Sequence, residues 1–320
     1  MPPTSKTSAA GSRFSSNAGG LWAVTSYFNS AGYRRKFSNY RLFRERLIVP
    51  LVTVELAYGE NFELQQTDAD ILVQIHGRDV MWQKERLLNL ALQALPAECT
   101  NVVAVDCDII FATNDWPERV NQELRRSVIL QPYSDVYDLP RDWNPEDASP
   151  LAGTRRRQSV TSAISLGTPI ATCLGEFAPS GLFSYSRGFA WAARRALLDK
   201  HGLYDGRILG GGDRAFAGAV YGYFDAMRHD KDRRYLDWAV SFHEAVGNAV
   251  GHMNGDIFHC WHGEMQNRSY HDRIKILDNF QFDPARDIAI AESGCWRWNT
   301  DKPGLHKSVR DYFESRKEDG

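Results

Sequence analysis

Asp106 and Asp108 stand one residue apart at the end of Val102-Val103-Ala104-Val105, a β-branched run that suits the middle of a sheet. An unpaired carboxylate is costly in such a place. Residues i and i+2 of a strand share a side, so two carboxylates at a strand end make a hard-oxygen clamp for a divalent cation. The plainer alternative is a capping turn ahead of the next helix, where Asn114 or Asp115 could also cap. Further along, "DIFHCWHG" (256–263) is a short strand or turn carrying His259, Cys260 and His262. A histidine can serve a core or a cap without metal. The spacing is poor for a structural zinc, which usually wants paired Cys-x2-Cys or His-x3-His arms. Asp213 follows Gly210, Gly211 and Gly212. It reads either as the cap of a helix or as a carboxylate that a backbone free of Cβ atoms brings close to a ligand.

The elements that must carry these residues follow from the hydrophobic pattern. Residues 21–29 form a short apolar strand, and 33–47 a helix with Phe37, Tyr40, Phe43 and Leu47 at helical spacing. Pro50 breaks that helix, residues 51–59 alternate as a second strand closed by Gly59, and 69–77 make a shorter third. Residues 82–96, rich in Leu and Ala and stopped by Pro96, form a strong helix before the strand that ends in the Asp pair. Strand, helix, strand, helix, strand is the order of an α/β unit with a mostly parallel sheet. Ligands of such sheets bind beyond the carboxyl ends of the strands, which is where the Asp pair stands.

After residue 126 the pattern loosens. Residues 128–139 read as a strand, and 138–160, with three prolines and Arg155-Arg156-Arg157, as a long exposed loop. Residues 188–202 read as a helix ended by Gly202, 210–224 as a tight turn feeding a helix, and 270–280 as a helix. The expected organisation is a disordered leader over 1–20, a single domain over 21–300 and a peripheral tail over 301–320.

Bulk properties exclude several classes. The chain has 320 residues, 43% apolar and 24% charged, which fits a folded protein. A net charge of −2 gives no sign of a nucleic-acid partner. No apolar run reaches the roughly 18–20 residues of a transmembrane span. The 5 cysteines are odd in number and scattered, which argues against a disulfide framework and for a reducing, cytoplasmic setting.

Three segments, taken in order, resemble GT-A glycosyltransferases, enzymes that use nucleotide sugars, and most of all the β-1,4-galactosyltransferase group. "WQKERLLNLALQALPAECTNVVAVDCDIIFATNDW" (82–116) resembles that group's basic-LLN helix and Asp-x-Asp strand. "ILGGGDRAF" (208–216) is similar to its Gly-Gly-Glu-Asp turn, with Gly212 standing where the group has Glu. "HCWHG" with the following "NRSYHDR" is similar to the late histidine that completes the metal site. "GFAWAARR" and "GLYD" look like spacers in related bacterial and viral transferases. The resemblance covers residues 21 to about 280. The first strand ends "YFNSAG", without the Arg that some members use for the diphosphate.

The resemblance implies a GT-A type fold, a Rossmann-like, mostly parallel sheet flanked by helices in a single catalytic domain. It implies metal-dependent transfer of a hexosyl group from a nucleotide diphosphate donor, a UDP-sugar, to a hydroxyl of a glycan, lipid or protein. Asp108 is the leading metal ligand, with Asp106 helping or holding the ribose. His262 is the first choice for an imidazole ligand and His259 the alternate. Mn²⁺ or Mg²⁺ suits such a shell, and imidazole tips the choice towards the transition metal. Asp213 is the expected general base of an inverting displacement. Lys84 is expected to bring charge to the diphosphate. Thr25, Tyr27 and Glu55 are expected at the nucleotide base and ribose, and Trp191, Tyr185 and Phe183 under the acceptor sugar. One alternative is a sugar-nucleotide pyrophosphorylase, for which "YFNSAGYRRK" is a poor phosphate loop. Another is a non-catalytic carbohydrate-binding protein, which would be expected to lose the Asp pair or Asp213.

Overall fold

Strands β1 (Leu21–Phe28), β2 (Leu51–Ala57), β3 (Ile71–His76) and β4 (Asn101–Val105) come from the branched and apolar runs and pair in parallel. The computed structural model describes residues 19–144, 154–175, 185–224, 233–269 and 272–320. Residues 1–18 of the expected leader and Phe183 lie outside the described residues. The later strands are β5 (Ile109–Phe111), β6 (Ile129–Gln131), β7 (Asp135–Asp138), β8 (Arg155–Ser159), β9 (Tyr185–Ser186), β10 (Ala190–Arg194), β11 (Val250–His252), β12 (Asp256–His259), β13 (Ile288–Ile290) and β14 (Trp296–Trp298).

Seven strands form the central sheet in the order β11-β6-β10-β4-β1-β2-β3. All its pairings are parallel except those of β10, which runs against both neighbours. Five more form a second sheet, β5-β12-β7-β8-β9. Central strand β4 shows why the run is branched throughout. Val102 packs into the core on one face, and Val103 and Val105 into the core on the other. The helix Lys84–Gln93 lays Leu87, Leu88, Ala91 and Leu92 on the first face, against Val24, Val52 and Val54. Across the sheet, Phe43 of the helix Arg34–Arg46 packs with Leu21, Ala23 and Leu51. The mostly parallel, helix-flanked α/β domain implied by the resemblance is present. Among the described residues no helix is long and apolar enough to cross a membrane.

Four expectations are corrected. Residues 188–202 are not one helix. Ala190–Arg194 is strand β10, and only Arg195–His201 is helical. Alanine favours helix locally, but hydrogen bonding to β4 and β6 decides the conformation. Residues 128–139 are two strands, β6 and β7, in different sheets, with Pro132 between them. The Arg155-Arg156-Arg157 run is strand β8 instead of a solvated loop, paired with β7. There Arg156 meets Asp135 at 2.8 Å, and the buried Arg157 bonds Asp138. The tail is not peripheral. The helix Pro303–Ser315 buries Leu305, Val309, Tyr312 and Phe313 in the same core as β1 and β2. Those positions form an apolar stripe of helical period.

Candidate metal centre and active-site cleft

Strand β4 ends at Val105, and Asp106 to Asp108 form a turn into β5, which belongs to the second sheet. The two carboxylates therefore do not share a strand face, and they separate. The Asp106 amide donates to the Phe189 carbonyl at 2.7 Å, just before β10, and the Cys260 amide donates to the Asp108 carbonyl at 2.8 Å. Both residues line one cleft, but they face different partners.

Asp108 faces the histidines. Strand β12 pairs with β5 so that His259 lies opposite Ile109, and with β7 so that His259 lies beside Asp138. The imidazole Nδ1 of His259 donates to Asp138 Oδ1 at 2.8 Å, which turns Nε2 into the cleft. His262 follows in the turn, and its Nε2 lies 3.1 Å from that of His259 and 3.4 Å from Asp108 Oδ2. Arg268 approaches the same Nε2 at 2.8 Å. A guanidinium only donates, so this nitrogen presents its lone pair. One ligand atom from each of Asp108, His259 and His262 falls within 4.8 Å of the others. Among the described residues, Asp106 and Cys260 are not part of that group.

The electrostatics of this cluster suit a cation. Asp108 Oδ1 is buried with no hydrogen-bond partner, and an orphaned buried carboxylate oxygen is costly. Burial works against charge on Asp108, yet His259, His262 and Arg268 hold its carboxyl below the usual range. Burial and the nearby Arg268 push His262 down to about 4, so its ring is neutral at pH 7. Burial also opposes charge on Asp138, but the bond from His259 and the Arg157 guanidinium keep it ionised. One carboxylate and two imidazoles, each aimed by an outer partner, are a donor set for Mn²⁺ or a similar ion. The residues fit the group.

Asp106 and Asp213 share Lys84. Its Nζ lies 2.6 Å from Asp106 Oδ1 and 3.0 Å from Asp213 Oδ1. Burial alone would lower the lysine, but the two carboxylates raise it well above its ordinary value. Lys84 thus bridges the two carboxylates. Asp213 lies in the first turn of the helix Gly212–Val220, whose cap position is Gly211, so it is not the capping residue. Gly211 has φ +92°, a conformation that favours glycine. Gly188 supplies the space in front of Asp213, since a Cβ there would run into its carboxylate. A Cβ on Gly212 would likewise run into Glu85. Burial pushes Glu85 up to about 8, and Asp106 to about 7, with Lys84 opposing both shifts.

Of the residues expected at the nucleotide, Lys84 and Asp106 line the cleft, and Thr25, Tyr27 and Glu55 do not. Thr25 Oγ1 donates to the Val105 carbonyl at 2.7 Å and ties β1 to β4. Tyr27 bonds Glu63, and Glu55 accepts from the Glu63 amide at 2.6 Å and from Gln74 at 2.8 Å. Tyr27 and Glu55 hold the loop after β2 in place. Of the acceptor aromatics, Tyr185 lines the cleft. Trp191 is buried, its Nε1 donating to the Arg187 carbonyl at 2.8 Å and its ring set edge-on to Phe216. Sequence reasoning missed Asp138, Arg268 and Glu318, which act on the histidines from three separate segments. It also missed how basic the cleft is. Among the described residues, eight Lys or Arg side chains, including Lys36, Arg187, Arg214 and Arg273, line it against four carboxylates.

No protein-family model matches the chain, and no curated protein matches it. Solved structures with a similar course include residues 1–349 of S. aureus TarS in complex with UDP-GlcNAc. That structure is 12% identical, covers 83% of this chain and 68% of its own, and has a TM-score of 0.41. Another is glucosyl-3-phosphoglycerate synthase from Mycobacterium tuberculosis in complex with Mn²⁺, UDP and glucosyl-3-phosphoglycerate. It is 12% identical, covers 81% of this chain and 76% of its own, and has a TM-score of 0.40.

Proposed function

We propose that this protein is a metal-dependent glycosyltransferase of the GT-A type, moving a hexosyl group from a nucleotide diphosphate donor to an acceptor hydroxyl with inversion. One observation carries the proposal: a carboxylate with an orphaned buried oxygen and two imidazoles converge in a basic cleft that also holds Asp213. A basic cleft favours an anionic ligand, and the ends of parallel strands are where a nucleotide would bind. UDP is the nucleotide that the families the motifs resemble mostly use, and the galactosyltransferase group is the nearest of those in pattern. The residues also suit a cytoplasmic enzyme acting on a glycan, lipid or protein acceptor.

Asp108, His259 and His262 would hold the cation, which when bound supplies Lewis-acid neutralisation of the departing diphosphate. Arg268, Arg316 and Lys36 surround that end of the cleft and would bind phosphate oxygens. Asp213 takes the acceptor's hydroxyl proton while the acceptor oxygen bonds to the anomeric carbon. The bond from that carbon to the diphosphate oxygen breaks, and its electron pair leaves with the nucleotide. Lys84 holds Asp213 and Asp106 in fixed positions throughout. A pyrophosphorylase would have no need of a carboxylate beside the acceptor.

The test is a screen of sugar transfer from nucleotide sugars with Mn²⁺ present, run on the wild type, Asp108→Ala and Asp213→Asn. Asp108→Ala is expected to lose Mn²⁺-dependent nucleotide binding. Asp213→Asn is expected to keep nucleotide affinity and lose about 10²–10⁴-fold in transfer, the usual range for a missing general base. Transfer by Asp213→Asn within a few-fold of wild type would remove the base role.

A further inference from the structure

The segment after the last helix lies against the histidine cluster. Tyr33 Oη accepts from the Lys317 amide at 3.0 Å and donates to the Glu314 carbonyl at 2.8 Å. The Arg35 amide donates to the Asp319 carboxylate at 2.8 Å. Gly263, one residue after His262, is so close that a Cβ there would meet the Lys317 carbonyl at 2.9 Å and Glu318 Cα at 3.1 Å. Residues 317–319 are thus pinned from both sides, and the Glu318 side chain is buried, 4% exposed. Its Oε1 lies 2.6 Å from Arg316 Nε and 3.6 Å from His262 Nδ1.

We propose that Glu318 is a positioning residue of the metal centre, keeping the His262 proton on Nδ1 so that the Nε2 lone pair faces Asp108 and His259. The proposal rests on the metal reading above. Arg268 can only donate to Nε2, which favours the proton of a neutral ring on the opposite nitrogen without holding it there. That nitrogen faces Glu318. His259 is built the same way, with Asp138 behind its Nδ1. Each imidazole thus has a carboxylate at its back, one from strand β7 and one from the segment after the last helix. Partners of this kind fix the tautomer and ring orientation of histidine ligands and raise their basicity. Tightening from 3.6 Å to hydrogen-bond distance takes a movement of about half an ångström.

The experiment uses the full chain as wild type, Glu318→Ala and Glu318→Gln, with Asp108→Ala as reference. Mn²⁺ affinity is measured by paramagnetic resonance, and the tautomer of His262 by ¹⁵N chemical shifts without metal. Glu318→Ala is expected to weaken Mn²⁺ binding about 10–100-fold and to move His262 away from the Nδ1-protonated form. Glu318→Gln, whose amide oxygen still accepts, is expected to recover most of both. A variant that only loosens the fold would lower the melting temperature without changing the ¹⁵N pattern, and that result overturns the proposal. Unchanged Mn²⁺ affinity and tautomer in Glu318→Ala, with Mn²⁺ bound by wild type, overturns it while leaving the metal reading intact. Wild-type protein that binds no Mn²⁺ overturns both.

Discussion

Glu85 has its carboxyl where ionisation is costly, and that cost has a sign that can be measured. Burial, with Asp213 nearby, moves it from an ordinary 4.5 to about 8. Between those values the folded protein holds a proton that the unfolded chain has released. The contribution of Glu85 to stability is therefore fully present below about pH 4.5 and is lost as pH rises through 8. Glutamine copies the neutral acid, so Glu85→Gln should flatten the fall in melting temperature between pH 5 and 8 and melt above wild type at pH 9. Parallel curves for the two proteins would show that Glu85 is ionised in the fold. The neighbouring Gly212 gives an independent reading of the same space. Gly212→Ala forces a methyl against the Glu85 carboxyl, and overpacking of this kind typically costs about 1–3 kcal/mol, visible in a denaturant midpoint.

At the level of elements, strand register does what no single residue could. β12 puts His259 beside Asp138 because it runs parallel to β7, and beside Ile109 because it runs against β5. Asp138→Ala should weaken Mn²⁺ binding by about 10–100-fold, and Asp138→Asn by less, because its amide oxygen can still accept from Nδ1. Equal Mn²⁺ affinity in wild type and Asp138→Ala, measured where both are folded, would show that the strand alone orients the ring. This division also explains what the sequence made legible. β1 to β4 and the helix Lys84–Gln93 announce themselves because their apolar spacing is local. The Asp pair, Asp213 and both histidines were legible as residues from motif order. Asp138, Arg268 and Glu318 were not, since only pairing between distant segments brings them to the histidines. β10 was misread because alanine's local preference is for helix, and the pairing that overrides it is with β4 and β6. The stripe Leu305, Val309, Tyr312 and Phe313 was there to be read, and the charged residues around it obscured its period.

On the scale of the molecule, a net charge of −2 conceals a cleft where, among the described residues, basic side chains outnumber carboxylates by eight to four. β1, the β4–β5 turn, the Gly210–Asp213 turn, β12 and the 316–318 segment all border it, so an occupant would tie together both sheets and the end of the described chain. Ligand that binds only the folded form then stabilises the whole fold by mass action, by about 2.7 kcal/mol at 100 times its dissociation constant. For a domain of this size that corresponds to a rise of roughly 4 °C. UDP with Mn²⁺ should give such a rise, and each alone should give clearly less, since the cation and the diphosphate would share charge across Asp108, His259 and His262. The excess of the pair over the sum of its parts should vanish in Asp108→Ala, while any rise with UDP alone persists through the arginines. An excess that survives in Asp108→Ala would mean that the ion and the nucleotide meet elsewhere in the cleft, and the histidine cluster would then have to be assigned to a different ligand.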